Sequence, residues 1–167
     1  MSDSQLTLIA LGHLPIKSAH GSTVLVGDSL YLLGGKNNEQ AFDSITTLTL
    51  DDKNQPQTEV IGKLPFTFAL GRAALNNNEL YLYAGEQNNL PSNKVCKYSI
   101  TLQKCLDPAI PPIPGTNRVQ FTSLHHKSYF YAFAGFNFQV QQGQYVLTDA
   151  YAFYFKKIIG KFWRQQL

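Results

Sequence analysis

The sequence has few charged residues, few cysteines and no long hydrophobic segment. Only 15% of its 167 residues are charged, and no run of four like charges occurs among its 14 basic and 11 acidic residues. This scattering argues against binding to nucleic acid or to a membrane surface. No apolar stretch approaches the length of a membrane-spanning helix, and no basic region precedes one at the N-terminus. The 44% of hydrophobic residues is typical of a globular chain.

The two cysteines, Cys96 and Cys105, have no accompanying histidine pair. Zinc sites usually combine closely spaced pairs of Cys and His ligands, so the sequence predicts no metal site. A nucleophile-elbow motif and a glycine-rich phosphate loop are both missing, which argues against Ser-His-Asp hydrolysis and against phosphate binding by such a loop. No cofactor is expected. The low cysteine content predicts a cytoplasmic protein with free thiols, or a periplasmic one if an N-terminal signal peptide has been lost.

One hexapeptide recurs three times at a constant spacing. It reads LYLLGG at residues 30–35, LYLYAG at 80–85 and FYAFAG at 130–135, an offset of 50 residues each time. A second landmark, Leu14-Pro15, keeps the same phase and recurs as Leu64-Pro65. A period of about 50 residues is typical of kelch repeats and fits neither helical nor leucine-rich repeats. The sequence therefore predicts three kelch-type units.

Alternating apolar residues between turn signals predict four short strands in each unit. In the first unit we expect strand a at about 21–26, b at 29–34, c at 44–50 and d at 57–61. Strands a and b should form hairpins over 21–35, 70–85 and 119–135, with Tyr31, Tyr81 and Tyr131 in equivalent places. The predicted fold class is all-β: a kelch-type β-propeller segment of three four-stranded blades, half of a six-bladed ring.

The predicted boundaries are 12–63 for unit 1, 64–112 for unit 2 and 113–167 for unit 3. Residues 5–11 resemble strand d of a preceding blade, whereas 161–167 occupy the d position of unit 3, which makes thirteen strands for twelve places. A propeller closes with about four to eight blades, so three blades leave two faces open. We therefore expect a homodimer or part of a longer propeller.

The sequence resembles the kelch superfamily along essentially the whole chain. The features that carry this resemblance are the glycines that end the b strands, the aromatic strands that follow, and Trp163. Within that superfamily, the sequence is similar to the N-acetylneuraminate epimerase (sialic acid mutarotase) family, especially its cyclically permuted bacterial branch. The similarity rests on residues 12–35, on Arg118-Val119-Gln120, and on the glycine-bounded segment 135–138 followed by 147–151. The chain departs from that family at Ser18, where the family has arginine, and at His20, where it has an aromatic residue.

This resemblance implies a carbohydrate isomerase that opens and recloses a sugar ring by general acid and base catalysis. The catalytic candidates are Glu86, His20 and Asp149. The candidates for substrate binding, the arginines to hold a sugar carboxylate through a bidentate fork, are Arg118, Gln120, Arg72 and Asn137.

Each candidate also has a plainer interpretation. Arg118 and Arg72 could serve in packing between blades, loop carboxylates are usually solvated, and a lone histidine is more often a packed or surface residue. Two other functions stay open for the chain. It could be a kelch interaction module that offers loop residues such as Phe136 and Phe138 to a protein partner, or a truncated gene product.

Overall fold

The structure is a computed structural model that describes residues 13–14, 17–77, 79–106, 110–138 and 146–155. In these ranges the chain forms twelve β-strands and no helix, so no helix there is long and apolar enough to cross a membrane. In chain order the strands are β1 (Ser22–Val26), β2 (Ser29–Leu33), β3 (Ser44–Leu50), β4 (Pro56–Lys63), β5 (Phe68–Ala69), β6 (Arg72–Asn76), β7 (Glu79–Gln87), β8 (Leu90–Ser99), β9 (Lys104–Cys105), β10 (Thr122–His126), β11 (Tyr129–Phe133) and β12 (Ala150–Tyr154).

The strands form three antiparallel sheets, and each sheet falls inside one predicted unit. Unit 1 has the order β1-β2-β3-β4, and its strands lie within a residue or two of the predicted bounds. In unit 2, β5 and β6 both pair with β7, as two parts of one inner strand, and β8 and β9 follow. Unit 3 has the order β10-β11-β12. The strands predicted at 5–11 and 161–167 lie outside the described residues.

The three a–b hairpins share one register, which confirms the predicted equivalence of the tyrosines. Tyr31 lies opposite Val24, and the partners of Tyr81 and Tyr131 are Ala74 and Leu124. Each partner is offset by 50 residues from the one before it. The repeat in the sequence is therefore a repeat in backbone pairing.

Backbone conformation repeats with the same period, including at residues that rarely adopt it. Four equivalent positions have a positive φ in all three units, a conformation that favours glycine and costs other residues roughly 1–2 kcal/mol. They are His20, Leu70 and Gln120; Gly27, Asn77 and Lys127; Gly34, Ala84 and Ala134; and Gly35, Gly85 and Gly135. Because non-glycine residues occupy most of these places, the fold imposes the conformation on them.

The core lies between the sheets rather than within one of them. Side chains alternate along β7, so that Leu80 and Leu82 are buried against unit 1, while Tyr81 and Tyr83 are buried in the cluster with unit 3. Tyr83 stacks on Phe130 of unit 3, with ring centroids 3.7 Å apart. Each sheet thus depends on its neighbours to cover its apolar faces.

Backbone hydrogen bonds also join one unit to the next. The N–H of Leu70 donates to the carbonyl of His20, and the N–H of Gln120 donates to the carbonyl of Leu70, both at 2.8 Å. A second pair repeats with the same offset: Gly35 donates to Phe68 at 2.7 Å and Gly85 to Arg118 at 2.9 Å. Through the first pair of bonds, His20, Leu70 and Gln120, which all have a positive φ, are connected from unit to unit.

The expectation of free thiols is wrong, because Cys96 and Cys105 form a disulfide. Cys96 lies on β8 and Cys105 on β9, the adjacent antiparallel strand, and their Cα atoms are 5.5 Å apart. That separation is typical of disulfides. The prediction used overall cysteine content, which carries no information about which strands become neighbours.

The buried hydroxyl of Tyr83 generates a stability prediction. Among the residues that the structure describes, this oxygen has no hydrogen-bond partner, and burial raises the pKa of Tyr83 well above its ordinary value. We expect Tyr83→Phe to raise the free energy of unfolding by about 1 kcal/mol, because it removes an unpaired polar group. The matched control is Tyr98→Phe, which deletes a 2.6 Å bond to the Lys63 carbonyl and should lower that free energy. Urea unfolding of both variants measures the signs, and equal losses would contradict the prediction.

Candidate functional site

One end of the three sheets carries the connections from strand b to strand c and the segments that lead into strand a. We call this end the loop face. In each unit the residue three positions before β1, β6 or β10 pairs there with a residue near the end of strand b or just beyond it. The three pairs are Ala19 with Lys36, Ala69 with Glu86, and Val119 with Phe136. Positions 36, 86 and 136 are thus equivalent, and they lie at corresponding places in neighbouring units.

An ion pair joins units 1 and 2 at the loop face. Lys36 Nζ lies 2.7 Å from Glu86 Oε2, and the Glu86 side chain is 7% exposed against 31% for Lys36. The predicted catalytic carboxylate is therefore nearly buried and is held by a lysine that has access to solvent. Sequence reasoning missed Lys36, although aligning the units by 50 residues would have placed it opposite Glu86.

His20 and Gln120 occupy equivalent exposed positions of units 1 and 3 at the loop face. Both have a positive φ, and Leu70 links them through its backbone N–H and carbonyl. His20 directly follows Ala19, the backbone partner of Lys36. His20 is therefore next in sequence to the residue whose backbone pairs with Lys36, and both His20 and Gln120 are exposed.

An apolar cluster joins units 2 and 3 at this end. Leu70 and Val119 are buried there, and Phe136 packs against them. Next to Phe136, the predicted binding residue Asn137 is 3% exposed and donates from Nδ2 to the carbonyl of Asn117 at 2.7 Å. Asn137 therefore shapes the b–c connection of unit 3.

The predicted binding residue Arg118 lies inside the protein. It is 0% exposed, and its two terminal nitrogens each lie 2.9 Å from one carboxylate oxygen of Asp149. Nη1 also donates to the carbonyl of Ala134 at 2.9 Å, and the guanidinium lies over the Tyr151 ring. This is the geometry of a packing arginine, the alternative role that the sequence left open. A role in substrate binding stays a prediction.

Asp149, a predicted catalytic residue, is the carboxylate of this internal ion pair. Burial tends to raise the pKa of Asp149, but the hydrogen bonds and charge of Arg118, together with a hydrogen bond from Tyr151, outweigh burial and hold that pKa below its ordinary value. Both carboxylate oxygens are engaged. Asp149 is thus placed to keep Arg118 paired rather than to exchange protons with a ligand.

Arg72 is the first residue of β6 in unit 2, and its side chain faces unit 3. Its Nη1 donates to the carbonyl of Gly71 at 2.8 Å, and its Cζ atom lies 5.7 Å from the centre of the Phe121 ring. Burial lowers the pKa of its guanidinium from the ordinary value. The residue is half-buried in the contact between units, which agrees with the packing role that the sequence left open for it.

A cleft of about 520 Å³ lies along strands β8 and β9 of unit 2. Leu90, Lys94, Cys105 and Asn117 are among its lining residues, and none of the predicted catalytic side chains is. Within the described ranges, no group of three or more His, Cys, Asp or Glu side chains is placed to hold a metal ion. The Lys36–Glu86 pair and His20 therefore make up the candidate site.

The Arg118–Asp149 pair generates a prediction on stability and its pH dependence. Asp149→Asn would leave the buried Arg118 charge without its partner and should lower the free energy of unfolding by about 3 kcal/mol at neutral pH. The control is Glu79→Gln, which breaks the more exposed pair with Lys97 and should cost less than about 1 kcal/mol.

The pH dependence of the same pair has a definite sign. Because the pKa of Asp149 is lowered on folding, its contribution is present above the ordinary carboxyl pKa and is lost as the pH falls through the lowered value. Urea unfolding of Asp149→Asn and of the unmodified protein should therefore converge in acid. A difference between them that persists unchanged would contradict this assignment.

Comparison with known proteins identifies the fold of this chain. No protein-family model and no curated protein sequence matches the chain. Among solved structures, that of YjhT is similar, with a TM-score of 0.67 and 11% sequence identity over 89% of this chain and 52% of that one. The chain thus spans about half the length of YjhT. At this identity the likeness shows the fold alone, and it confirms the predicted all-β, partial β-propeller architecture.

Proposed function

We propose that the loop face binds a sugar acid of the N-acetylneuraminate class and interconverts its anomers without a cofactor. The observation that carries this proposal is the ion pair that joins Lys36 of unit 1 to Glu86 of unit 2 on the loop face. The exposed His20 follows Ala19, the backbone partner of Lys36. Together these three side chains supply a cation, a carboxylate and an imidazole. The resemblance of the sequence to the sialic acid mutarotase family supports the choice of reaction.

Anomer exchange needs one group that takes a proton and another that gives one. In the proposed reaction, Glu86 accepts the proton of the anomeric hydroxyl while the bond from the anomeric carbon to the ring oxygen breaks. Protonated His20 donates its proton to that ring oxygen. After rotation of the freed carbonyl group, the same two proton transfers run in reverse and close the ring on the other face. Charge and atoms balance, and no redox partner is needed.

Binding of the sugar carboxylate falls to Lys36 in this proposal. Lys36 keeps about a third of its side chain exposed while it pairs with Glu86, whereas Arg118 is fully buried against Asp149 and Arg72 is half-buried against Phe121. Gln120, exposed at the loop face of unit 3, is suited to hydrogen bonds with sugar hydroxyl or acetamido groups. Asp149, predicted from sequence as catalytic, and Asn137, predicted as substrate-binding, have no role in this proposed reaction.

A protein-interaction module is the second candidate, and Phe138 favours it. This side chain is 44% exposed on the loop face, with its ring centre 6.5 Å from that of Phe136. Exposed aromatic residues on loops often anchor protein partners. A folded protein that does not accelerate anomer exchange would favour this second function.

The activity test is exchange NMR spectroscopy of N-acetylneuraminate anomers. The unmodified protein should accelerate exchange over buffer, and Glu86→Gln should slow it by about 10²- to 10⁴-fold, the range for loss of a general base. The matched control is Glu79→Gln, which alters another glutamate–lysine pair on the same strand, β7, and should leave the rate unchanged. Absence of any acceleration, on protein shown to be folded, would overturn the proposal.

A further inference from the structure

The outward face of unit 1 carries a row of side chains whose equivalents in units 2 and 3 contact the preceding unit. In each sheet, strands a, b and c contribute one residue each to this row. The rows are Leu25, Leu30 and Leu48; Leu75, Leu80 and Tyr98; and His125, Phe130 and Phe153. In units 2 and 3 these rows supply residues to the buried clusters with the preceding unit. In unit 1 the row faces outward, and Leu25 is 64% exposed.

The outward face of unit 3 carries the opposite row, which elsewhere contacts the following unit. Tyr131 on this face is equivalent to Tyr81, which unit 3 buries. Around Tyr131, the exposed fractions are 57% for Leu124, 39% for Tyr129 and 41% for Phe133. The rings of Tyr129, Tyr131 and Phe133 stack along the strand. This is the face that a unit 1 row would cover if the stack continued.

Backbone hydrogen-bonding groups on the outward faces of units 3 and 1 are also complementary to each other. By the repeat of 50 residues, the Gly135 N–H and the Gln120 carbonyl correspond to the groups of Gly85 and Leu70 that bond to the following unit. At the other end, the carbonyl of Ser18 and the N–H of His20 correspond to groups that bond to the preceding unit. Among the described residues, none of these four groups has a hydrogen-bond partner.

We infer that a second copy of this chain covers both outward faces, with unit 3 of each copy against unit 1 of the other. The contact continues the one that joins units 1, 2 and 3. Gly135 would donate to the partner's Ser18 carbonyl, and the partner's His20 N–H would donate to the Gln120 carbonyl. Two copies supply six units, within the range of about four to eight at which propellers close, and closure gives a two-fold ring.

The partner copy also completes the loop face. In the closed ring the partner's His20 lies beside Gln120, in the relation that Leu70 has to His20 within one chain. The proposed sugar site would then have two copies per ring. The inference itself does not depend on sugar chemistry, since it rests on the contacts between units.

Light scattering on size-exclusion fractions tests the pairing of faces. The unmodified chain should have twice its 18.7 kDa mass at micromolar concentration. Tyr131→Glu and Leu30→Glu should each give monomers, whereas the control Leu102→Glu, at an exposed turn residue, should stay dimeric. A mixture of the first two variants should regain a dimer, because one contact of unmodified faces can form. An unmodified monomer, an open-ended series of larger species, or loss of the dimer in only one variant would overturn the inference.

Crosslinking gives a second test that does not disturb the apolar faces. His20→Cys and Gln120→Cys change exposed residues, and a short bis-maleimide should join them only when the two variants are mixed. Each variant alone should stay uncrosslinked, because equal positions lie across the ring from each other. Covalent dimers within a single variant, or none in the mixture, would contradict the head-to-tail contact.

Discussion

The rest of the structure depends on the packing of each apolar sheet face against the next unit. The two main clusters of buried residues lie between units 1 and 2 and between units 2 and 3, so neither belongs to a single sheet. At the loop face, backbone hydrogen bonds fix the spacing of the units. They are the bonds made by Leu70 and those that join Gly35 to Phe68 and Gly85 to Arg118. The candidate site follows from that spacing, because the Lys36–Glu86 pair forms only if equivalent positions of two units lie side by side.

Much of the fold could be predicted because the repeat encodes it several times. The hexapeptide at 30–35, 80–85 and 130–135 gave the period, and alternation gave strands whose observed bounds are close to those expected. The shared register of Tyr31, Tyr81 and Tyr131 also followed from the period. Pattern and turn chemistry are local properties, and three consistent copies remove the ambiguity that a single copy would have.

The candidate site was predicted less well because it depends on contacts between units. Sequence indicated Glu86 and His20 but not Lys36, whose partner is 50 residues away. It proposed Arg118 for substrate binding and Asp149 for catalysis, and the structure pairs these two residues with each other in unit 3. Cys96 and Cys105 were expected as thiols, since composition does not report the pairing of β8 with β9. In each case the missing information was which side chain faces which.

Amide hydrogen exchange, followed residue by residue by NMR, is the most direct measurement of the contact between units. The Gln120 residue is exposed, yet its N–H donates to the Leu70 carbonyl of the neighbouring unit. The amides of Leu70 and Gln120 should therefore exchange far more slowly than an exposed loop amide such as that of Asn38. Exchange of the Leu70 and Gln120 amides as fast as that of Asn38, in protein whose strands are protected, would contradict the unit-to-unit bonding.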